Sequence, residues 1–164
     1  LAKLVSRYTG PINLHIINFT DIQLYIYEQC PHEELTIIMR RYMMKIASKI
    51  AAHNGCDALI TGESIGQVAS QTMKALTVTD DAATMPVFRP LIGNDKEEIV
   101  AISRKIGTFE TSIQPYEDCC TVFTPKHPRT RPKLDVVKAA EIFPGCDEMC
   151  EKAIADTKFE KIYS

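Results

Sequence analysis

Short apolar runs alternate along the chain with longer segments whose apolar residues keep helical spacing. Residues 12–19 are rich in β-branched and apolar side chains, which predicts a strand. After Pro31, apolar residues recur every three or four positions, which predicts a long helix that begins near Glu33 and closes before Gly55. Residues 57–61 form another apolar run, which predicts a short buried strand.

The same alternation continues in the second half of the chain. We predict a helix over 65–76, a strand over 86–91, a helix from Asp95 to Gly107, and a last helix over 133–142. Residues 108–132 read as a long loop of the kind that often carries function. Alternating strands and helices predict the α/β class and a doubly wound, three-layer parallel sheet, in which ligands bind beyond the carboxyl ends of the strands.

Composition narrows this picture to one ordinary globular domain. The chain has 164 residues, 45% of them hydrophobic and 24% charged, and a net charge of -2. That charge gives no general attraction to nucleic acid, so a polyanion would need a local basic patch. No apolar run approaches the length of a membrane helix, and we expect no membrane association. No secretory signal follows Leu1, so we expect a reducing, cytoplasmic location for its six cysteines.

One candidate site follows the strand at 57–61. Ser64 stands where a helix N-cap is expected, Gln67 completes a capping box, and Gly62 would let a ligand approach the backbone. Gln71 lies one helical turn after Gln67, so both amides could face the turn. The alternatives are an anion site at this helix N-terminus and a capped helix with nothing bound.

Three basic residues are considered with this site. Arg40 borders the apolar side of the long helix, where a guanidinium needs a carboxylate or phosphate partner, whereas Arg41 is expected to be a solvated surface charge. An internal salt bridge is the simpler interpretation of Arg40. Lys96 follows the N-cap Asp95, where a bound phosphate would offset the poor placement of a cation at a helix N-terminus.

Two pairs of cysteines could carry thiol chemistry. Cys119 and Cys120 are adjacent in a polar loop with basic residues nearby, a setting that indicates a reactive thiol; inert thiols in an exposed loop are the alternative. Cys146 and Cys150 are four residues apart and could share a helical face, as thiols that relay, resolve or hold a metal. No histidine lies beside them, so a zinc site is weakly indicated.

Three motifs carry a resemblance to a known family: TGESIGQVASQT at 61–72, RPLIGNDKEEI at 89–99, and the double-cysteine loop at 114–123. In this order they closely resemble the tRNA 4-thiouridine sulfurtransferases, also called the thiamine-biosynthesis sulfurtransferases, up to about Glu141. The resemblance implies a catalytic domain similar to the PP-loop ATP pyrophosphatases, with a Rossmann-like parallel sheet.

The resemblance also implies a reaction. ATP with Mg²⁺ adenylates the C4 oxygen of the uridine at tRNA position 8, and a cysteine persulfide then delivers sulfur as AMP leaves. By this resemblance Arg40, Gly62 and Gln71 contact ATP, Lys96 is the catalytic lysine, and Cys120 carries the persulfide. Cys119 or a more distant thiol would resolve it. The implied partners are tRNA, a cysteine desulfurase, a sulfur-carrier protein of thiazole synthesis, and a second copy of the chain in a homodimer; no resident metal is implied.

The chain also departs from the family pattern. The Ser-Gly-Gly-x-Asp-Ser loop that binds pyrophosphate is not in the sequence, and neither are THUMP, N-terminal ferredoxin-like or rhodanese regions. We therefore expect residues 1–164 to be a C-terminal part of the catalytic domain, without its first strand and PP-loop, and inactive alone. The alternatives are another PP-loop adenylating enzyme and a tRNA thiolation module in which Cys119, Cys120, Cys146 and Cys150 hold an iron–sulfur cluster.

Overall fold

The computed structural model describes residues 1–115 and 129–163. Helices and strands are mixed along this part of the chain, as expected for an α/β protein. In chain order the elements are α1 (Ala2–Thr9), β1 (Ile12–Ile16), α2 (Thr20–Gln29), α3 (Leu35–His53), β2 (Leu59–Ile60), a 3₁₀ turn (Ala69–Gln71), α4 (Met73–Asp80), β3 (Val87–Phe88), α5 (Lys96–Lys105), α6 (Phe109–Ser112), α7 (Leu134–Ala140), α8 (Cys146–Ala155) and β4 (Lys158–Ile162).

The strands form two separate two-stranded sheets within the described residues. β2 and β3 pair in parallel, with Leu59 opposite Val87 and Ile60 opposite Phe88. β1 pairs with β4 in the antiparallel sense over five residue pairs. The α/β class is confirmed, and the predicted parallel pairing is present between β2 and β3.

The hydrophobic core lies among the helices and is centred on α3. This helix packs against α2, α4 and α8. Ile38 of α3, Ile26 of α2 and Val137 of α7 are all fully buried. The helical spacing that predicted α3 from the sequence is the spacing that turns its apolar residues into this core.

The predicted helix over 65–76 is wrong in its first half. Gly66 has φ 78, a left-handed conformation, and Val68 is extended, so no helix begins at Ser64. α4 begins at Met73 instead, and its N-cap is Thr72, whose Oγ1 accepts the Ala75 N–H at 3.1 Å. The capping box predicted for Ser64 and Gln67 is therefore not formed.

Other elements do not appear in the sequence prediction at all. α1 and α2 fall where no helix was predicted, α6 lies inside the predicted loop, and α8 and β4 follow the last predicted helix. By contrast, α5 begins at Lys96 as predicted and has the predicted capping box of Asp95 and Glu98. In the described part of the chain, no helix combines the length and the apolar character that crossing a membrane requires.

Candidate active site at the carboxyl edge of the parallel strands

The site is built where β2 and β3 end side by side. The Thr61 N–H donates to the Phe88 carbonyl at 3.0 Å, so the parallel pairing continues to the first residue of the loop. A Cβ added to the next residue, Gly62, would meet no described atom within 4 Å. Gly62 also lacks a positive φ. Neither backbone conformation nor crowding within the chain accounts for a glycine here.

Directly after Gly62, a buried carboxylate lies between two arginines. Glu63 is 5% exposed. One of its oxygens accepts from Arg89 Nε at 2.6 Å and from Thr61 Oγ1 at 2.8 Å, and the other pairs with Arg40. Arg89 also pairs with Asp80 at the end of α4. We call Arg40, Glu63, Arg89 and Asp80 the edge network; it joins α3, α4 and the ends of both parallel strands.

The internal salt bridge considered for Arg40 is therefore formed, with Glu63. The Arg40 side chain nevertheless keeps 25% of its surface exposed. Sequence analysis missed Glu63, Arg89 and Asp80. The available signal was positional, since Glu63 and Arg89 each come within a few residues of the end of a predicted strand, where parallel strands bring side chains together.

Hydrogen bonds hold the loop after β2 against the start of α5. The Ser64 hydroxyl donates to the Asn94 carbonyl at 2.6 Å, and the Ile65 N–H donates to the Ile92 carbonyl at 3.1 Å. The Gln71 side-chain oxygen accepts the Ser64 N–H at 3.0 Å. Gln71 is therefore directed toward the turn, as expected, but from the 3₁₀ segment rather than from a helix.

Lys96 lies at the adjoining N-terminus of α5. Asp95 Oδ1 accepts the Glu98 N–H at 2.9 Å, and Glu98 Oε2 accepts the Asp95 N–H at 2.8 Å, so the capping box fixes this turn. The Lys96 side chain is exposed and lines an open groove of about 480 Å³ along α5. Within residues 1–115 and 129–163 it forms no ion pair, so its charge remains available at the helix N-terminus.

Arg41 is not the surface charge that its spacing suggested. It is 1% exposed, and its guanidinium donates two hydrogen bonds to the Glu141 carboxylate, of 2.7 and 2.9 Å. Asp81 accepts a third at 3.0 Å, and the Val78 carbonyl accepts another. Burial alone would lower the pKa of Arg41, but these acceptors outweigh it and raise that pKa. We call Arg41, Glu141 and Asp81 the core network.

The structure thus gathers part of the predicted site. Arg40 pairs with Glu63, which directly follows Gly62. Ser64 is hydrogen-bonded to Gln71 and to Asn94, two residues before Lys96, so all four predicted residues lie at or next to one edge of the parallel pair. Cys119 and Cys120 lie outside the described residues. Cys146 and Cys150 lie in α8, among the helices of the core.

Comparisons with known proteins identify the family of this chain. Residues 1–143 match the family described as "Thiamine biosynthesis protein (ThiI)". A probable tRNA sulfurtransferase of Lachnoclostridium phytofermentans is 69% identical over 142 residues, which are 87% of this chain and 36% of that protein. Another from Agathobacter rectalis is 59% identical over 160 residues, which are 96% of this chain and 41% of that protein.

A solved structure is also similar over nearly the whole chain. It is described as a crystal structure of a 4-thiouridine synthetase–RNA complex with bound ATP, and it superposes with a TM-score of 0.92 at 41% identity. The match covers 98% of this chain and 42% of the solved one. This chain therefore spans about two fifths of the relatives that it matches. The family match covers most of its residues, and the chain belongs to the thiamine biosynthesis protein (ThiI) family.

Proposed function

We propose that this chain is part of the catalytic domain of an ATP-dependent tRNA sulfurtransferase that converts uridine 8 to 4-thiouridine. The observation that carries the proposal is the grouping of Gly62, Gln71 and Lys96 at the carboxyl edge of β2 and β3. The similar solved structure, whose description names bound ATP and RNA, supports nucleotide and tRNA as the substrates.

The residues at this edge suit an adenine nucleotide. Space beside Gly62 leaves its backbone open to close approach, and the Gln71 amide nitrogen remains as a donor because only the oxygen is used by Ser64. Arg40 is partly exposed at the same edge while Glu63 neutralises its charge. We assign these three residues to nucleotide binding.

Lys96 is assigned to charge stabilisation. The charges of the edge network balance, since two arginines face two carboxylates, so Lys96 is the cation not committed to that network. The positive end of the α5 dipole adds to its field. When bound with Mg²⁺, ATP supplies the adenylyl group that activates the C4 oxygen of uridine, and Lys96 would stabilise negative charge on the phosphates as they separate.

Cys120 is assigned to sulfur delivery. A persulfide on Cys120, loaded by a cysteine desulfurase, would attack C4 of the activated uridine as AMP leaves. Cys119 or another thiol would then attack the Cys120 sulfur, which releases 4-thiouridine and leaves a disulfide. We also propose a role in thiazole synthesis through a sulfur-carrier protein. A homodimeric assembly and a cytoplasmic location are proposed as well.

We further propose that the two small sheets belong to one Rossmann-like sheet. Parallel strands are normally buried on both faces, yet Ile60 is 74% exposed and Phe88 is 59% exposed. In the longer relatives, a further strand and the pyrophosphate-binding PP-loop would lie in the part that this chain does not span. On this proposal residues 1–164 alone neither hydrolyse ATP nor thiolate tRNA, and activity of the isolated chain would contradict it.

The experiment uses a relative's full-length protein with this chain's residues at the matching positions. Lys96→Ala should lower pyrophosphate release with tRNA, ATP and Mg²⁺ by at least about 100-fold, because one oriented cation is removed from the phosphates. Lys105→Ala removes an exposed lysine from the last turn of the same helix and is the matched control. Equal activity of the two variants would contradict the assignment of Lys96.

A second variant separates the two steps. Cys120→Ser should abolish formation of 4-thiouridine while pyrophosphate release continues, because serine cannot carry a persulfide. Cys56→Ser removes an exposed cysteine outside the loop and should leave both steps unchanged. Retained thiolation in Cys120→Ser would refute the assignment of Cys120. Adenylation without any 4-thiouridine from the unmodified protein would favour a different adenylating reaction, and iron bound after anaerobic purification would favour the cluster alternative.

A further inference from the structure

Two cysteines that the proposed reaction does not use lie together in α8. Cys146 is the first residue of the helix and Cys150 is the fifth, and both are buried. They belong to the same core cluster as Tyr42 of α3, whose hydroxyl donates to the Glu141 carbonyl at 2.9 Å. The helix carrying the pair is thereby packed beside the core network.

The two thiols interact with each other. The Cys150 thiol hydrogen-bonds to Cys146 and holds the pKa of Cys146 below its ordinary value despite burial. The same contact and burial raise the pKa of Cys150. A lone buried cysteine behaves differently, since burial raises the pKa of Cys30 to about 11. Cys146 is therefore the more acidic thiol of the pair, and it lies at the N-terminus of a helix, where thiolates are favoured.

A small cavity reaches Cys150 of this pair. It has a volume of about 100 Å³, and Lys45 and Lys49 of α3, Ala82 and Asp147 also line it. Molecules the size of water fit this volume, and hydrogen peroxide is only slightly larger. The charge of Lys45 favours a thiolate at Cys150, whereas the Asp147 carboxylate opposes it.

The helix places the two residues within range of a disulfide. Positions four apart in an α-helix have Cα atoms about 6 Å apart, inside the range seen for disulfides. Their Cβ atoms, about 5 to 6 Å apart, must approach to about 4 Å. The Cys146 N–H donates to the Phe143 carbonyl outside the helix, so movement of Cys146 toward Cys150 would break no intrahelical hydrogen bond donated by this group.

We propose that Cys146 and Cys150 form an oxidation site in which hydrogen peroxide converts the two thiols to a reversible disulfide within α8. One thiol loses its proton and the resulting thiolate attacks a peroxide oxygen; the O–O bond breaks, a sulfenic acid forms, and the leaving hydroxide takes up the proton to become water. The second thiol attacks the sulfenic sulfur, the S–O bond breaks, and a second water leaves with its proton. The two sulfurs lose two electrons in total, and the peroxide gains them.

The bond would be strained by the contraction, and strained disulfides are reduced readily. The site would therefore respond to peroxide and recover with cellular thiols. The proposal does not depend on the assignment of Cys120, because its test measures only Cys146 and Cys150.

Peptide mapping of the 164-residue chain tests this site. The chain is treated with one equivalent of hydrogen peroxide, free thiols are blocked, and the mass of the tryptic peptide 139–152 is measured. This peptide contains Cys146 and Cys150 and no other cysteine. We expect this peptide to be two hydrogens lighter and unblocked, and dithiothreitol to restore two blockable thiols. Two free thiols after treatment, an irreversible gain of oxygen on sulfur of either cysteine, or a disulfide to a different cysteine would overturn the proposal.

Variants identify the partners. Cys146→Ser and Cys150→Ser should each abolish the loss of two hydrogens, whereas Cys30→Ser, which removes a buried cysteine elsewhere in the core, should keep it. Circular dichroism checks that each variant folds. Since the wild-type chain alone gives the decisive mass, a variant that fails to fold does not remove the test.

Discussion

One arginine–carboxylate network lies inside the helical core and another lies at the carboxyl edge of β2 and β3. In the core network a fully buried arginine, Arg41, is shared by two carboxylates. In the edge network a buried carboxylate, Glu63, is shared by two arginines, and Arg40 keeps a quarter of its side-chain surface exposed. The two networks use the same chemistry with the roles of cation and anion exchanged.

This difference separates an architectural role from a binding role. The core network fastens α3 to α4 and to the end of α7, and its groups face other parts of the chain. The edge network also holds elements together, but two of its charged members are partly open at the end of the strands, since 25% of the Arg40 side chain and 43% of the Asp80 side chain are exposed. Partly exposed charged groups can bind a ligand, whereas the buried guanidinium of the core network cannot be reached by one.

The largest expected effect comes from breaking the core network. Arg41→Met should lower the free energy of unfolding by about 3–5 kcal/mol, because the Glu141 carboxylate stays buried without its main partner. Denaturant unfolding of the chain, followed by circular dichroism, measures the change.

A double variant shows whether the loss comes from the unpaired charge. Arg41→Met with Glu141→Leu removes both charges, and most of the lost stability should return. If the double variant were less stable than Arg41→Met, the unpaired Glu141 charge would not be the cause of the lost stability, and this account of the core network would be wrong.

A smaller effect is expected at the edge network. Glu63→Gln should cost about 1.5–3 kcal/mol, because hydrogen bonds to two arginines lose their charged acceptor while Arg40 can turn toward solvent. Glu97→Gln changes an exposed carboxylate on α5 and should stay within about 0.5 kcal/mol of wild type. If Glu63→Gln lowered the free energy of unfolding as much as Arg41→Met, the charged groups of the edge network would be as inaccessible to solvent as those of the core network.

The sequence predicted α3 and α5 well because local signals determine them. Helical spacing of apolar residues marks α3, and the capping box of Asp95 and Glu98 marks the start of α5. The same local signal failed at Ser64, because Gly66 adopts a left-handed conformation and the Ser64 hydroxyl is used by the Asn94 carbonyl, 30 residues away. A capping-box pattern cannot reveal a competing partner that is distant in sequence.

Distance in sequence also explains the error at Arg41. Its main partner, Glu141, lies 100 residues further along the chain, and helical spacing within α3 gives no sign of it. β4 was missed for a related reason, since its mostly exposed residues lack an apolar pattern and its pairing with β1 is made by the backbone. The positions of Gly62, Gln71 and Lys96 could be anticipated because each lies in or beside a motif of contiguous residues.

The smallest effect is a pH dependence that distinguishes two carboxylates, the exposed Asp81 and the buried Glu34. Hydrogen bonding to Lys138, with help from Arg41, holds the pKa of Asp81 below its ordinary value of 3.8, whereas burial raises the pKa of Glu34. Asp81 therefore contributes stability above pH 3.8 that is lost as the pH falls through its lowered folded-state pKa, and Glu34 acts in the opposite direction as the pH rises. In Asp81→Asn, the free energy of unfolding should fall less steeply below pH 4 than in wild type, while Asp57→Asn, at an exposed position, should keep the wild-type slope. An unchanged slope in Asp81→Asn would show that the core network does not depend on this carboxylate being ionised.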